Sequence, residues 1–233
     1  MTRTKKIVKK KLKEPDEFIT LTERTYLFLT RHGKPVTAGV IIVLVLILAV
    51  FFYERWAKKN EGNAYQMFTL AVETYQAAST PYRDGSPQEY RTVLGKFDEI
   101  ITTFPGTSAG KLSILFKGNL HLRLGEFEEA INAYETFLKK AGKEKLYRIF
   151  AMEGLGYSYE GKKDYEKALD AYRKILKLGE NFQLASAYLG MGRCYEKLGK
   201  NKEALENYKD FIKVSQKSNV TNAIIRKISL LEK

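Results

Sequence analysis

Two patterns of hydrophobic residues divide the chain, first an unbroken apolar run and then apolar residues at helical spacing. The run covers residues 36–53, VTAGVIIVLVLILAVFFY, and contains no charged residue. A helix rises about 1.5 Å per residue, so this run extends about 27 Å, close to the thickness of the hydrocarbon core of a bilayer. It therefore predicts a transmembrane helix in contact with the lipid bilayer.

A cleaved signal peptide is the main alternative interpretation of this run. The 35 residues before it are more than the basic region of a signal peptide usually contains. The run ends in Phe51, Phe52 and Tyr53, with Trp56 close behind, and no small residues mark a cleavage site. Aromatic residues at the end of an apolar helix are typical of a membrane interface. We therefore expect a retained anchor.

The distribution of charge predicts the orientation of the anchor. Residues 1–35 contain ten Lys/Arg and four Asp/Glu, whereas the chain beyond the apolar run contains 30 and 23. Basic residues beside a span tend to stay in the cytoplasm. We therefore expect a basic cytoplasmic head and the remaining chain outside the cytoplasm. Within the head, Phe18, Leu21 and Phe28 share one helical face, which predicts an interfacial helix over residues 16–30. A floppy tail is the open alternative.

After the apolar run, one set of residues recurs three times with the same internal spacing. Each set has a glycine, an alanine twelve residues later and a tyrosine four residues after the alanine. The three glycines are Gly118, Gly156 and Gly192, which lie 38 and 36 residues apart. The small residues allow two helices to cross closely, and large residues fill the gaps between neighbouring hairpins. The pattern predicts stacked helical hairpins.

These residues are similar to the tetratricopeptide repeat (TPR), whose pattern includes L-G-x2-Y and A-x3-F. The resemblance implies an all-α fold, with the N-terminal transmembrane helix followed by a TPR-type α-solenoid of about nine helices. Lys163 stands where a turn glycine is usual. The expected parts of the domain over residues 54–233 are a degenerate repeat at 64–105, repeats at 111–144, 149–180 and 185–216, and a C-terminal capping helix at 219–232.

Residues that could carry catalysis are sparse. Cys194 is the only cysteine, and His32 and His121 are the only histidines, so there is too little material for a disulfide or a zinc site. The pairs Gly154-x-Gly156 and Gly190-x-Gly192 resemble part of a nucleotide-binding motif, but each lacks the third glycine and falls inside a predicted helix. We expect no cofactor, no metal, no small-molecule substrate and no enzymatic activity.

The net charge of +13 raises nucleic acid as a partner. The predicted repeats, however, carry mixed charge and no basic stripe, so we expect no nucleic-acid partner. What remains is a protein-binding surface.

In solenoids that resemble this one, the first helix of each hairpin lines a concave face that binds proteins. The resemblance carries those positions to Leu115, Asn119, Arg123, Glu153, Tyr157, Glu160, Leu189, Arg193, Glu196 and Lys197, with Leu112, Leu122, Phe150, Gly161 and Ser186 beside them. This mixed set lacks the lysines and asparagines with which some family members hold a C-terminal carboxylate. The alternative is that these residues form a solvated face that binds no partner.

The order of the parts also resembles bacterial inner-membrane TPR proteins, a family that includes the ancillary subunit of the SecYEG translocon. The resemblance rests on the basic head, Arg31-His32-Gly33-Lys34 before the span and Tyr53-Glu54-Arg55-Trp56 after it. It implies a single-pass protein whose periplasmic repeats bind the Sec translocon, periplasmic chaperones or client proteins. The alternative is a cell-envelope or cell-division coordinator of the Tol–Pal-associated TPR type, although residues 54–64 are too short for the coiled coil typical of that type.

Overall fold

A computed structural model describes residues 17–79, 85–140, 144–178, 182–215 and 219–232. In that part of the chain every regular element is an α-helix, which confirms the predicted all-α class. The helices are α1 Glu17–Arg31, α2 Gly33–Ala78, α3 Pro87–Thr103, α4 Ser108–Arg123, α5 Phe127–Lys140, α6 Lys145–Gly161, α7 Tyr165–Leu178, α8 Phe182–Lys197, α9 Asn201–Val214 and α10 Asn219–Leu231. Residues 1–16 of the basic head and residues 80–84 of the predicted degenerate repeat lie outside the described residues.

The chain forms two compact units, Met1–Ala57 and Lys58–Lys233. The first unit contains α1 and the apolar part of α2. Between these helices the backbone amide of His32 donates to Phe28 O at 2.9 Å, and the amide of Val36 donates to His32 O at 3.0 Å. The side chains of the apolar stretch are exposed, and by length and composition α2 is capable of crossing a bilayer. That α1 lies at a membrane interface stays a prediction.

Helix α2 includes both the predicted span and the start of the predicted degenerate repeat. The span was expected at 36–53 and the repeat from residue 64, and α2 is assigned from Gly33 to Ala78. The intervening residues, ERWAKKNEGN, are mostly good helix formers, and they include no proline. A single glycine, Gly62, costs too little to end a helix. The local sequence therefore favours continuation.

The second unit is a stack of helical hairpins. The end of α2 pairs with α3, α4 with α5, α6 with α7 and α8 with α9, and each hairpin packs against the next. First helices of successive hairpins also touch, because α4 contacts α6 and α6 contacts α8. This arrangement confirms the predicted TPR-type solenoid. Helix α10 closes its C-terminal end by placing Ile224, Ile228 and Leu231 against Tyr208 and Phe211 of α9.

The recurring tyrosines form the centre of the hairpin packing. Tyr134, Tyr172 and Tyr208 are fully buried, as are the recurring alanines of the same helices. The ring of Tyr134 occupies the space that a Cβ would take at Gly118 of its own hairpin and at Gly154 of the next. The two Gly-x-Gly pairs therefore hold packing glycines inside helices, where each pair receives one tyrosine from its own hairpin and one from the hairpin before.

The turns inside the three regular hairpins share one geometry. Gly125, Lys163 and Gly199 occupy equivalent positions and have φ values of 72°, 62° and 73°. In each turn the next amide returns to a carbonyl of the first helix, as Asp164 N does to Tyr159 O at 2.9 Å. Lys163 is the one residue other than glycine with a positive φ among those described. The expected departure at Lys163 is thus a lysine in a left-handed backbone conformation.

Candidate functional site

A cavity of about 400 Å³ lies on the side of the stack formed by the first helices. Helices α4 and α6 supply most of its lining, and single tyrosines come from α2 and α5. We call the whole side of the stack formed by the first helices the groove face, and the cavity is one part of it. The cavity is lined by Tyr75, Asn119, Leu122, Arg123, Tyr134, Phe150, Glu153, Gly154 and Tyr157.

Each recurring tyrosine donates its hydroxyl hydrogen bond toward the groove face. Tyr172 donates to Glu160 Oε1 at 2.6 Å and Tyr208 donates to Glu196 Oε2 at 2.7 Å, both across twelve residues of sequence. Tyr134 donates instead to Asn119 Oδ1 at 2.7 Å, because the first regular hairpin has Leu122 where the other two have glutamate. Burial raises the pKa of all three tyrosines, so the hydroxyls stay protonated and act as donors.

Arg123 is held at the edge of the cavity by two tyrosines. Its Nε donates to Tyr75 Oη at 3.0 Å and its Nη1 donates to Tyr90 Oη at 3.5 Å. Its guanidinium carbon lies 5.9 Å from each ring centroid, within the range of a cation–π contact. Burial opposes the charge, but the hydrogen bonds to these tyrosines leave the pKa of Arg123 raised. The cavity therefore contains one fixed positive charge.

Glu153 and Tyr157 form the opposite, acidic and aromatic part of the cavity. The Tyr157 hydroxyl donates to Glu153 Oε1 at 3.3 Å. Burial raises the pKa of Tyr157, and the nearby Glu153 carboxylate raises it further. Phe150 and Tyr157 remain 38% and 37% exposed, which is high for aromatic side chains in a packed helical domain. Their rings are accessible to a ligand.

Ion pairs continue the groove face toward the C-terminus. Arg193 of α8 holds Glu160 of α6 through two bonds, Nε to Oε2 at 3.0 Å and Nη2 to Oε1 at 2.6 Å. Lys227 of α10 donates to Glu196 Oε2 at 2.8 Å. The first pair joins two successive hairpins, and the second joins the last hairpin to α10. Burial would raise the pKa of Glu196, but hydrogen bonds from Lys227 and Tyr208 outweigh it and lower that pKa.

The comparison with protein families decides the classification. The model for the tetratricopeptide repeat-like domain matches residues 27–233. The chain belongs to this family. TPR-like domains act as scaffolds for protein–protein interaction, so the groove face is the candidate surface for binding a protein partner.

Solved structures of MamA have a similar fold. One crystal structure of MamA shares 18% identity at a TM-score of 0.52 and covers 62% of this chain and 77% of its own. The MamA RS-1 ArsTM double mutant shares 16% identity at a TM-score of 0.53 and covers 84% of this chain and 93% of its own. At such low identity these similarities concern the fold alone. No curated protein sequence matches the chain.

Several of the predicted binding residues of the TPR domain lie in the cavity or in ion pairs of the groove face. Asn119, Arg123, Glu153 and Tyr157 lie together in the cavity, with Leu122 and Phe150 from the wider set. The ion pairs described above engage Glu160, Arg193 and Glu196, and Lys197 is exposed.

Some expected groove positions pack inside the TPR domain instead. Leu115 is only 3% exposed and belongs to the core with Ile114 and Tyr134, so it cannot line a groove. Leu189 packs partly buried against the C-terminal cluster, and Leu112 packs against the core of the first regular hairpin. The site of a Cβ at Gly161 is filled by the ring of Phe127. These positions stabilise the stack.

Three residues of the groove face were not identified from the sequence. Tyr75 belongs to the degenerate first hairpin, which lacks the glycine used for alignment, so the repeat pattern could not assign Tyr75 to this face. Tyr134 was recognised as a core residue, and its hydroxyl reaches Asn119. Lys227 completes the Glu196 pair from the capping helix. The repeated spacing of twelve residues between glutamate and tyrosine, at 160/172 and 196/208, was a usable signal for the tyrosine–glutamate bonds.

Two further kinds of reactive group could form a site within the described residues, a thiol or a cluster of metal-binding side chains. Cys194 is buried, and burial raises the pKa of its thiol to about 12, so it is inert at neutral pH. Among the described residues there is no group of three or more His, Cys, Asp and Glu side chains suited to a metal ion. The described side chains of the groove face offer charge, hydrogen bonding and aromatic contact.

Proposed function

We propose that this protein is a membrane-anchored scaffold that binds polypeptides on its groove face and carries out no catalysis of its own. The observation that carries the proposal is the cavity lined by Asn119, Arg123, Glu153 and Tyr157, which combines polar groups of both signs with accessible aromatic rings. Such a mixture suits an extended polypeptide, whose backbone and side chains offer donors, acceptors and apolar area together.

The anchor is the second part of the proposal. The apolar residues of α2 support a single pass through a membrane, and the basic head supports an N-terminus in the cytoplasm. The resemblance to bacterial inner-membrane TPR proteins supports the inner membrane as that membrane and the periplasm as the location of the repeats. Confinement to the membrane surface would raise the effective concentration of the groove near membrane-bound partners. Alkaline carbonate should leave the full-length protein in the membrane pellet, and trypsin added to spheroplasts should digest the repeats. Release by carbonate, or protection from trypsin, would contradict this part.

The resemblance to the ancillary translocon subunit supports a role beside the Sec translocon, where the groove would receive secreted clients or pass them to periplasmic chaperones. The second candidate is a Tol–Pal-associated coordinator of the cell envelope. Residues 54–64, between the apolar stretch and the hairpins, are too few for the trimeric coiled coil typical of that type. The Sec role is therefore the one we propose.

Chemical crosslinking in cells, followed by purification of the tagged full-length protein and mass spectrometry, tests the partner. Translocon subunits, chaperones or secreted clients should be recovered with the natural protein, and their yield should fall with Tyr157→Ala. Tyr65→Ala is the matched control, because Tyr65 is also exposed but lies outside the cavity. Recovery of Tol–Pal or peptidoglycan-synthesis proteins alone would overturn the Sec role.

A further inference from the structure

The groove face contains three glutamates that each accept a hydrogen bond from a tyrosine hydroxyl, and two of the three also pair with a basic side chain. Helices α6 and α8 supply three glutamates, Glu153, Glu160 and Glu196. Glu160 accepts from a tyrosine hydroxyl and from Arg193, and Glu196 accepts from a tyrosine hydroxyl and from Lys227. Glu153 also accepts from a tyrosine hydroxyl, at 3.3 Å, but no cation pairs with it within the described part of the chain.

The two complete sites show which group the third one lacks. The guanidinium carbon of Arg193 lies 5.4 Å from the ring centroid of Tyr157, and Nζ of Lys227 lies 5.6 Å from that of Tyr208. Each basic side chain therefore pairs with a carboxylate and also lies near a tyrosine ring, which is Tyr208 for Lys227 and Tyr157, the tyrosine that donates to Glu153, for Arg193. Glu153 itself lacks the ion pair. A carboxylate beside aromatic faces favours an ammonium or guanidinium group over a neutral or acidic one.

The surroundings of Glu153 leave room for such a group. Glu153 lines the cavity of about 400 Å³ together with the exposed rings of Phe150 and Tyr157. We propose that this cavity takes a lysine or arginine side chain of the bound polypeptide, with its charge on Glu153 and its aliphatic part against Phe150. The inference rests on the proposed function, since it names the partner chemistry of the same groove.

Arg123 defines the competing occupant. It lines the same cavity, so an acidic side chain of the partner could bind there instead. The Arg123 guanidinium already donates to Tyr75 and Tyr90, however, whereas the Glu153 carboxylate receives only a single long bond from a hydroxyl among the described residues. Charge complementarity therefore favours the cationic occupant at Glu153.

Fluorescence anisotropy with the full-length protein in detergent micelles tests this choice. The probes are three labelled extended peptides of Ser, Thr and Val that differ only in a central Lys, norleucine or Glu. The Lys peptide should bind about tenfold more tightly than the norleucine peptide. Glu153→Gln should abolish that preference, and Glu153→Lys should transfer it to the Glu peptide. Glu206→Gln, at an exposed position of α9, removes the same charge and should change nothing.

The possible results separate this inference from the proposed function. Equal binding of all three peptides, tighter binding of the Glu peptide to the natural protein, or an unchanged preference in Glu153→Gln would overturn the inference while polypeptide binding stands. Absence of binding by every peptide would overturn the inference, and an undiminished yield of crosslinked partners with Tyr157→Ala in cells would overturn the proposed function as well. Circular dichroism of each variant checks that the helices are retained.

Discussion

At the scale of single residues, the fold depends on tyrosines that fit between glycines of adjacent hairpins. Tyr172 contacts the positions where Gly156 and Gly190 would carry a Cβ, so its ring fixes the distance between α6 and α8. Its hydroxyl emerges at the groove face and bonds to Glu160. One side chain thus connects the packing of the stack with the polar groups of the groove.

The turn at Lys163 offers a first prediction. A left-handed backbone costs about 1–2 kcal/mol for a residue with a Cβ, so replacement by glycine removes this cost from the folded state. Part of that gain in stability is offset because glycine makes the unfolded chain more flexible. Lys163→Gly should therefore raise the free energy of unfolding by about 0.5–1 kcal/mol. Gly199→Ala should lower it by about 1 kcal/mol, since no atom lies within 4 Å of the added Cβ and only the backbone is strained.

Thermal denaturation followed by circular dichroism, on full-length protein in detergent micelles, measures both effects. A lower melting temperature for Lys163→Gly than for the natural protein would show that the lysine makes contacts that outweigh its backbone strain.

The carboxylate of Glu126 provides a prediction about pH. It accepts from Nδ1 of His121 at 2.7 Å and from Arg91 at 2.6 Å, and the bond from His121 is the main reason that its pKa lies below the ordinary 4.5. A lowered carboxyl pKa stabilises the fold above the ordinary value, and this stabilisation is lost as pH falls through the folded-state pKa. Glu126→Gln should therefore lower the melting temperature at neutral pH, and the difference from the natural protein should shrink in acid.

The matched control for this experiment is Glu129→Gln, at an exposed position of the same hairpin. It should leave the melting temperature almost unchanged at both pH values. A destabilisation by Glu126→Gln that persisted undiminished in acid would contradict an electrostatic role for Glu126.

At the scale of elements, the regular hairpins were the most predictable part of the molecule. Gly118, Ala130 and Tyr134 recur at fixed spacing because the same close helix crossing is built three times. The continuity of α2 was not predictable from the same pattern, since neither the apolar run nor the repeats determine what the ten residues between them do. A capping helix at 219–232 was expected, but the ion pair from Lys227 of α10 to Glu196 depends on tertiary structure.

The capping role of α10 can be tested with two adjacent isoleucines. Ile224 is 9% exposed and packs against the last hairpin, whereas Ile225 is 46% exposed. Ile224→Ala should lower the free energy of unfolding by about 2 kcal/mol, because it leaves a gap over Tyr208, and Ile225→Ala should lower it by under ~1 kcal/mol. Thermal denaturation of the two variants decides this, and equal effects would show that α10 is not packed as a cap.

At the scale of the whole molecule, the candidate site was predictable only in outline. Asn119, Arg123, Glu153 and Tyr157 were selected because a TPR resemblance assigns them to one face, and they do line one cavity. The hydrogen bonds of the groove face could not be predicted. Tyr75 comes from a hairpin with little repeat signal, and Arg193 pairs with Glu160, which lies 33 residues away in the sequence. Pairings across hairpins depend on side-chain geometry that spacing does not specify.

Binding of polypeptides to the groove face can be tested by position-specific photocrosslinking in cells. A photoreactive phenylalanine analogue would replace Phe150 or Tyr157 in the cavity, and Lys177 or Glu206 at exposed positions of the second helices. If polypeptides bind the groove face, the two cavity positions should give strong adducts with other proteins and the other two should give few. Equal crosslinking from all four positions, or adducts only from Lys177 and Glu206, would contradict such binding.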